Sequence, residues 1–292
     1  MSRLRLSNHI IICGWSEMVR DVISQLHAEE VANPRHVVII DDRLEVCPVD
    51  DPFVYFVKGD PTQTATLEHA NLGEASAAII LADWSLPDPT LRDSKTALIT
   101  LAIESTNSAV YSCAEVMNTE SKRHLERAGV DEPICVSDLS EKMLLQAALN
   151  HGISRFFDDV LTFGEGSEIY KTAVPQPLIG KTFREAVKQL SDRFGVILMS
   201  VEREESRAAA TSPAARGGEA APNAASHGLL PKQSPGRLQI HTNPQNEFAL
   251  QDGDMLFVLA EAGEVLTRLQ EAAAWVSNGK PAEHTGDIPP KV

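Results

Sequence analysis

Six apolar runs of strand length, at residues 9–13, 36–40, 53–57, 77–82, 109–113 and 133–136, alternate with helix-like segments at 16–26, 64–70, 94–103 and 119–128. Continuous apolar runs are those of strands buried on both faces, which calls for a parallel sheet covered by helices. Right-handed crossovers then make the fold doubly wound, and its ligand site lies beyond the carboxyl ends of the strands. The expected class is α/β, with a Rossmann-like doubly wound parallel sheet over residues 1–137.

The pattern changes after Val136. The stretch "SDLSEKMLLQAALNHGISRFFDDVL" reads as a long helical segment with Ser137 or Asp138 as its cap and a break at Gly152. Residues 138–163 are therefore expected to form a helical crossover or dimerisation arm. Strand-like "IYKTAV", helical "TFREAVKQL" and strand-like "GVILMSV", "RLQIHT" and "DMLFVLA" then suit a small α+β lobe over 164–276. An Ala-, Pro-, Gly- and Ser-rich stretch at about 204–236 has no periodicity and is read as a disordered insertion, and residues 277–292 as a disordered tail.

The first apolar run leads into "CGWSEM". A dinucleotide fingerprint G-x-G-x-x-G needs three glycines; here Gly14 is followed by Trp15, Ser16, Glu17 and Met18. Gly14 permits the tight turn, and the helix N-terminus behind it attracts an anion. Ser16 stands where close approach of a pyrophosphate asks for glycine, and its side chain suits a helix cap. Glu17, in the first helical turn, repels a phosphate. Phosphate binding and a purely structural turn both fit these residues. After the second run, "VVIIDDR" offers Asp41 to an adenosine ribose, with Asp42 and Arg43 beside it. After the third, "KGDPT" brings Gly59, Asp60, Pro61 and Thr62 to the same sheet edge, where Asp60 or Thr62 serves either the rim of the site or the cap of the next helix. Ala82 and Asp83, at the end of the fourth run, complete that rim.

Charge and composition remove other functions. A net charge of −15 with no clustered Lys and Arg argues against a nucleic-acid partner and against anionic membrane surfaces. No apolar run approaches the roughly 20 residues of a membrane span, and "MSRLRLSN" lacks the apolar core of a signal peptide, so a cytoplasmic location is expected. Cys13, Cys47, Cys113 and Cys135 contain no C-x-x-C pair and are read as buried free thiols. The histidines are scattered, and no G-x-S-x-G, H-E-x-x-H or P-loop occurs. Binding is favoured over catalysis.

In order along the chain, "IICGWSE", "GDPT" with "LEHANLGEASAAIIL", "AEVMNTESKRHLERAGVDEPI", "IGKTFREA", "GVILMSV" and "LQDGDMLFVLA" resemble the RCK domain (regulator of potassium conductance), whose parts are also called the TrkA N- and C-terminal domains. The turn, with its Trp, Ser and Glu, is similar to that of calcium-gated archaeal potassium channels of the family. The resemblance implies a cytosolic, non-enzymatic, ligand-sensing gating module at the inner face of the cell membrane, controlling potassium flux through a channel pore domain. It implies dimers joined through the crossover helices at about 140–160, and an octameric ring built from such pairs. It implies NAD(H) or an adenine nucleotide as regulatory ligand, with Ca2+ as the other candidate. Asp83 and Glu115 fall where calcium-gated members carry acidic metal ligands, whereas Met117 replaces a further glutamate. An NAD-dependent oxidoreductase, or a regulatory subunit of a potassium transporter, are the alternatives.

Overall fold

The computed structural model describes residues 3–27, 34–162, 166–205 and 237–261. The chain divides into two compact units, Met1–Gly164 and Glu165–Val292. The first unit runs β1 (His9–Cys13), α1 (Glu17–Leu26), β2 (Val37–Asp41), β3 (Val54–Lys58), α2 (Thr64–His69), β4 (Ala75–Ile80), α3 (Pro89–Thr106), β5 (Tyr111–Val116), α4 (Thr119–Ala128) and β6 (Glu132–Cys135), then α5 (Val136–Leu149) and α6 (Ile153–Leu161). Its strands form one parallel sheet in the order β3-β2-β1-β4-β5-β6, the doubly wound arrangement the alternation requires. Every residue of β1 and β2 is buried, because helices pack on both sides of these central strands. Leu67 of α2, Ile99 and Ile103 of α3 and Leu125 of α4 meet Ile11, Val38 and Ile40 on one face. Val19 and Ile23 of α1 meet Ile10, Ile12, Val37 and Ile39 on the other.

Coverage is uneven on the α1 side. The register places Ile12 beside Ile79 and Ile79 beside Cys113, so Tyr111 and Cys113 of β5 share the α1 face. Along that face Tyr111 and Ile134 stay 49% and 39% exposed. The expectation of a sheet covered on both faces therefore holds for β1 and β2 but not for β5 and β6 among the described residues. The helix α5 buries none of its residues, and Leu139, Leu144, Leu145 and Leu149 point outward. Among the described residues no helix is long and apolar enough to cross a membrane.

Several boundaries differ from the sequence pattern, each for a local reason. The helix α3 begins at Pro89 and not at residue 94, because the Asp88 carboxylate accepts from the backbone N–H groups of Thr90 (2.7 Å) and Leu91 (3.2 Å) and Pro89 is preset for the first turn. Neither Ser137 nor Asp138 caps α5. The helix follows β6 directly with Cys135 at the cap position, the Ser137 hydroxyl donates to the Met117 carbonyl (3.2 Å), and Asp138 pairs with Lys142 (2.6 Å). The break at Gly152 is present, with φ +93°. Of the cysteines, all free, Cys13 and Cys135 are buried but Cys47 and Cys113 only partly so; burial pushes the thiols of Cys13 and Cys113 up to about 12 and about 11.

The second unit contains β7 (Ser167–Ala173), α7 (Phe183–Phe194), β8 (Ile197–Glu205), β9 (Arg237–Thr242) and β10 (Met255–Glu261). They make an antiparallel sheet ordered β7-β10-β8-β9. Thr182 and Glu185 form a capping box at the start of α7, whose Phe183, Ala186 and Leu190 pack with Leu198, Val201, Leu256 and Val258 of the sheet. The strand β8 continues to Glu205, two residues into the stretch read as an insertion. Residues 206–236 and the tail 277–292 lie outside the described residues.

Candidate functional site

The chain leaves β1 through Gly14, whose φ of +100° only glycine adopts without strain. Because β2 and β4 flank β1 on opposite sides, the turns that follow the three strands meet around one cleft at the topological switch point. Gly14 and Trp15 come from the first turn, Asp41, Asp42 and Arg43 from the second, and Leu81, Ala82 and Asp83 from the third. Pro61 and the side chains of Lys95 and Ile99 complete the walls of this small cleft, which is open to solvent.

The cleft is polar and internally paired. The Asp41 side chain is 2% exposed, and its Oδ1 accepts from the N–H of Arg43 (2.7 Å) and of Leu44 (3.2 Å) while Oδ2 accepts from Arg43 Nη2 (2.9 Å). Arg43 Nη1 donates to Asp83 Oδ1 (3.0 Å), and Nη2 also reaches the Trp15 carbonyl (3.3 Å). Lys95 Nζ donates to Asp83 Oδ2 (2.8 Å), and both the hydroxyl and the N–H of Ser85 donate to Asp83 Oδ1 (2.6 and 3.0 Å). Burial alone would raise the Asp83 carboxyl; the Lys95 and Ser85 hydrogen bonds outweigh it and hold it at about 2. The hydrogen bond to Asp41 raises the Arg43 guanidinium further, and Asp83 raises Lys95 against the effect of its burial. Asp83, Arg43 and Lys95 stay charged across the physiological range.

The structure gathers some of the sequence-chosen residues and not others. Gly14, Trp15, Asp41, Asp42, Arg43, Pro61, Ala82 and Asp83 line the cleft. Ser16 occupies the cap position of α1 without a side-chain cap hydrogen bond, Glu17 pairs with Arg20 at 3.3 Å on the surface, and Met18 is 48% exposed. Gly59 donates to the Asp41 carbonyl (3.2 Å) and packs against Thr66, which a Cβ would meet at 2.9 Å. Asp60 accepts from the Thr62 N–H (2.9 Å), and neither side chain caps α2, whose cap residue is Gln63. Two residues that shape the site were not singled out in the sequence, Lys95 and Ser85. Lys95 already lay inside the helix-like segment 94–103, but its approach to Asp83 depends on how that helix packs behind the β4 turn, and Ser85 carries no sequence signal of its own.

The two candidate metal ligands are already engaged. Asp83 has the partners above, and Glu115 Oε2 accepts from the Ala82 N–H (2.9 Å). Among the described residues no three His, Cys, Asp or Glu side chains converge as a metal set.

A β3-β2-β1-β4-β5-β6 sheet with a polar cleft at its switch point defines a Rossmann-type domain. Residues 10–136 match the TrkA-N domain family. The calcium-gated potassium channel TvoK of Thermoplasma volcanium is 30% identical over 191 residues, covering 64% of this chain and 53% of that protein. The putative potassium channel protein YugO of Bacillus subtilis is 27% identical over 199 residues, covering 65% of this chain and 57% of its own length. The chain thus spans little more than half the length of these relatives. The gating ring of human SLO3 shares the fold at a TM-score of 0.61 and 13% identity, over 89% of this chain and 45% of that one.

Proposed function

We propose that the chain is a ligand-sensing gating module for a potassium channel, acting without catalysis of its own. The observation that carries this reading is the 30% identity to a potassium channel over 191 residues, beside the match of residues 10–136 to the TrkA-N domain family. Gating requires only that a ligand bind one conformation better than another, and couplings of about 1–3 kcal/mol are typical. An adenine nucleotide or NAD(H) is the favoured ligand. Asp41 stands at the end of β2 where a ribose-binding carboxylate belongs, and Gly14 to Met18 form the phosphate-side loop. Calcium is the lesser candidate, because a hard cation wants six or more oxygens and the Asp83 carboxylate is held by two cations.

The outward leucines of α5 and the bare face of β5 and β6 supply an apolar surface for self-association through the 138–163 arm, and a ring of such dimers on a pore domain at the inner membrane face is the assembly we propose. Sedimentation velocity of the purified chain tests the reading. Association beyond the monomer, with a change in sedimentation on adding AMP, NADH or calcium, is expected; a monomer at every concentration, indifferent to all three, would end it. A hydride-transfer assay with NADH over a panel of carbonyl compounds tests the absence of catalysis, and sustained turnover would favour an oxidoreductase instead.

A further inference from the structure

To hold a ribose, Asp41 needs lone pairs free for hydroxyl groups. A carboxylate has about four acceptor positions, and here three hydrogen bonds from Arg43 and Leu44 already occupy it. The Arg43 guanidinium then continues across the mouth of the cleft. It contacts Asp41 at the end of β2, the Trp15 carbonyl after β1 and Asp83 after β4, so one side chain joins the carboxyl ends of all three strands. It is 41% exposed, at the entrance and not in the wall. Asp83 does not depend on it, because Lys95 and Ser85 hold that carboxylate independently.

We infer that Arg43 is a ligand-displaced latch: it bars the cleft by joining Asp41 to Asp83, and a ribose-bearing ligand takes the Asp41 carboxylate as the guanidinium leaves both Asp41 and Asp83. This rests on the nucleotide reading of the site. Part of the ligand's binding free energy separates the Arg43–Asp83 pair.

The test uses Arg43→Met, which keeps the aliphatic stem and removes the guanidinium, with Arg43→Lys as a second variant able to reach only one bank. Isothermal titration with AMP and with NADH is run on all three proteins after circular dichroism shows them folded. Removing a pair with one partner at the surface tightens binding by about 1.5- to 5-fold for Arg43→Met, with Arg43→Lys between it and the parent. Binding seen only in the variants supports the latch equally. Equal or weaker binding by Arg43→Met, with the parent binding normally, overturns the latch and leaves the nucleotide site standing. Absence of binding in all three proteins overturns both. If Arg43→Met fails to fold, Arg43→Lys alone decides, tighter binding supporting the latch and equal or weaker binding overturning it.

Discussion

Arg43 and Asp83 pair over the tip of β1. The guanidinium Nη1 lies 3.0 Å from Asp83 Oδ1, joining the turns after β2 and β4, the two strands that flank β1 in the sheet. The pair is the point where the two halves of the doubly wound sheet are fastened at their carboxyl edge, across the turn in which Gly14 stands almost alone for a glycine-rich loop.

Acid should undo that fastening. The Asp83 carboxyl is held at about 2 in the folded protein against an ordinary value of 3.8. A carboxyl with a lowered folded value contributes stability that is complete above the unfolded value and fades as pH falls through the folded one. The window is therefore from about pH 4 down to about pH 2. Comparing thermal midpoints of the parent and Asp83→Asn, the parent is expected to be the more stable at neutral pH, and the difference to close across that window. A difference independent of pH down to 2 would mean that the carboxylate charge is not what Lys95 and Arg43 recognise.

Replacing Asp41 separates structure from binding. Asp41→Ala leaves the N–H groups of Arg43 and Leu44 without their acceptor, at a cost of about 1–3 kcal/mol in denaturant unfolding. It should also abolish any thermal stabilisation by nucleotides. Equal nucleotide-induced shifts in the variant and parent would place the ribose elsewhere.

The second unit should tolerate a large excision. Glu205 and Arg237 are paired residues of the β8–β9 ladder, so the chain leaves and re-enters the sheet at one place. Replacing residues 206–236 by Asn-Gly makes a two-residue hairpin of the kind that fits strand twist. Each doubling of loop length costs about 0.6 kcal/mol, so the shortened chain is expected to gain stability on the order of 2 kcal/mol. Loss of soluble protein would show that the excised residues belong to the core of this unit.

The face of α5 offers a test of self-association. Leu144, Leu145 and Leu149 are 72%, 59% and 69% exposed, so charging two of them costs little within a single chain. Leu145→Glu with Leu149→Glu should weaken association by at least tenfold in analytical ultracentrifugation while leaving the thermal midpoint of the monomer unchanged. Unaltered association would move the interface off this helix.

Much of this was legible in the sequence for physical reasons. Strands buried on both faces have no polar alternation to hide them, so β1 and β2 stood out, and the Gly14 turn followed from the residue type that a φ of +100° demands. The start of α3 was misplaced because its first turn is polar and its signal lies in Asp88 and Pro89, not in hydrophobic period. Lys95 was missed for a different reason: its contact with Asp83 across the β4 turn is set by tertiary packing, not by its place in the helix. The pairing of Asp41 with Arg43 was beyond sequence reasoning, since an acidic residue after the second strand reads the same whether its carboxylate faces a ligand or its own neighbour. The bare face of β5 and β6 was hidden likewise, because apolar strands look alike whether covered by a helix of the same chain or left for a partner.

The most direct measurement is a thermal-shift titration of the purified chain with NAD, NADH, AMP, ADP, ATP and calcium. A ligand that binds only the folded state stabilises it by about 2.7 kcal/mol at a hundred times its dissociation constant, and continues to do so with the logarithm of concentration. The expected result is a concentration-dependent rise in midpoint with at least one nucleotide, absent in Asp41→Ala. A midpoint that stays fixed with every nucleotide and with calcium would contradict the account of the chain as a ligand sensor.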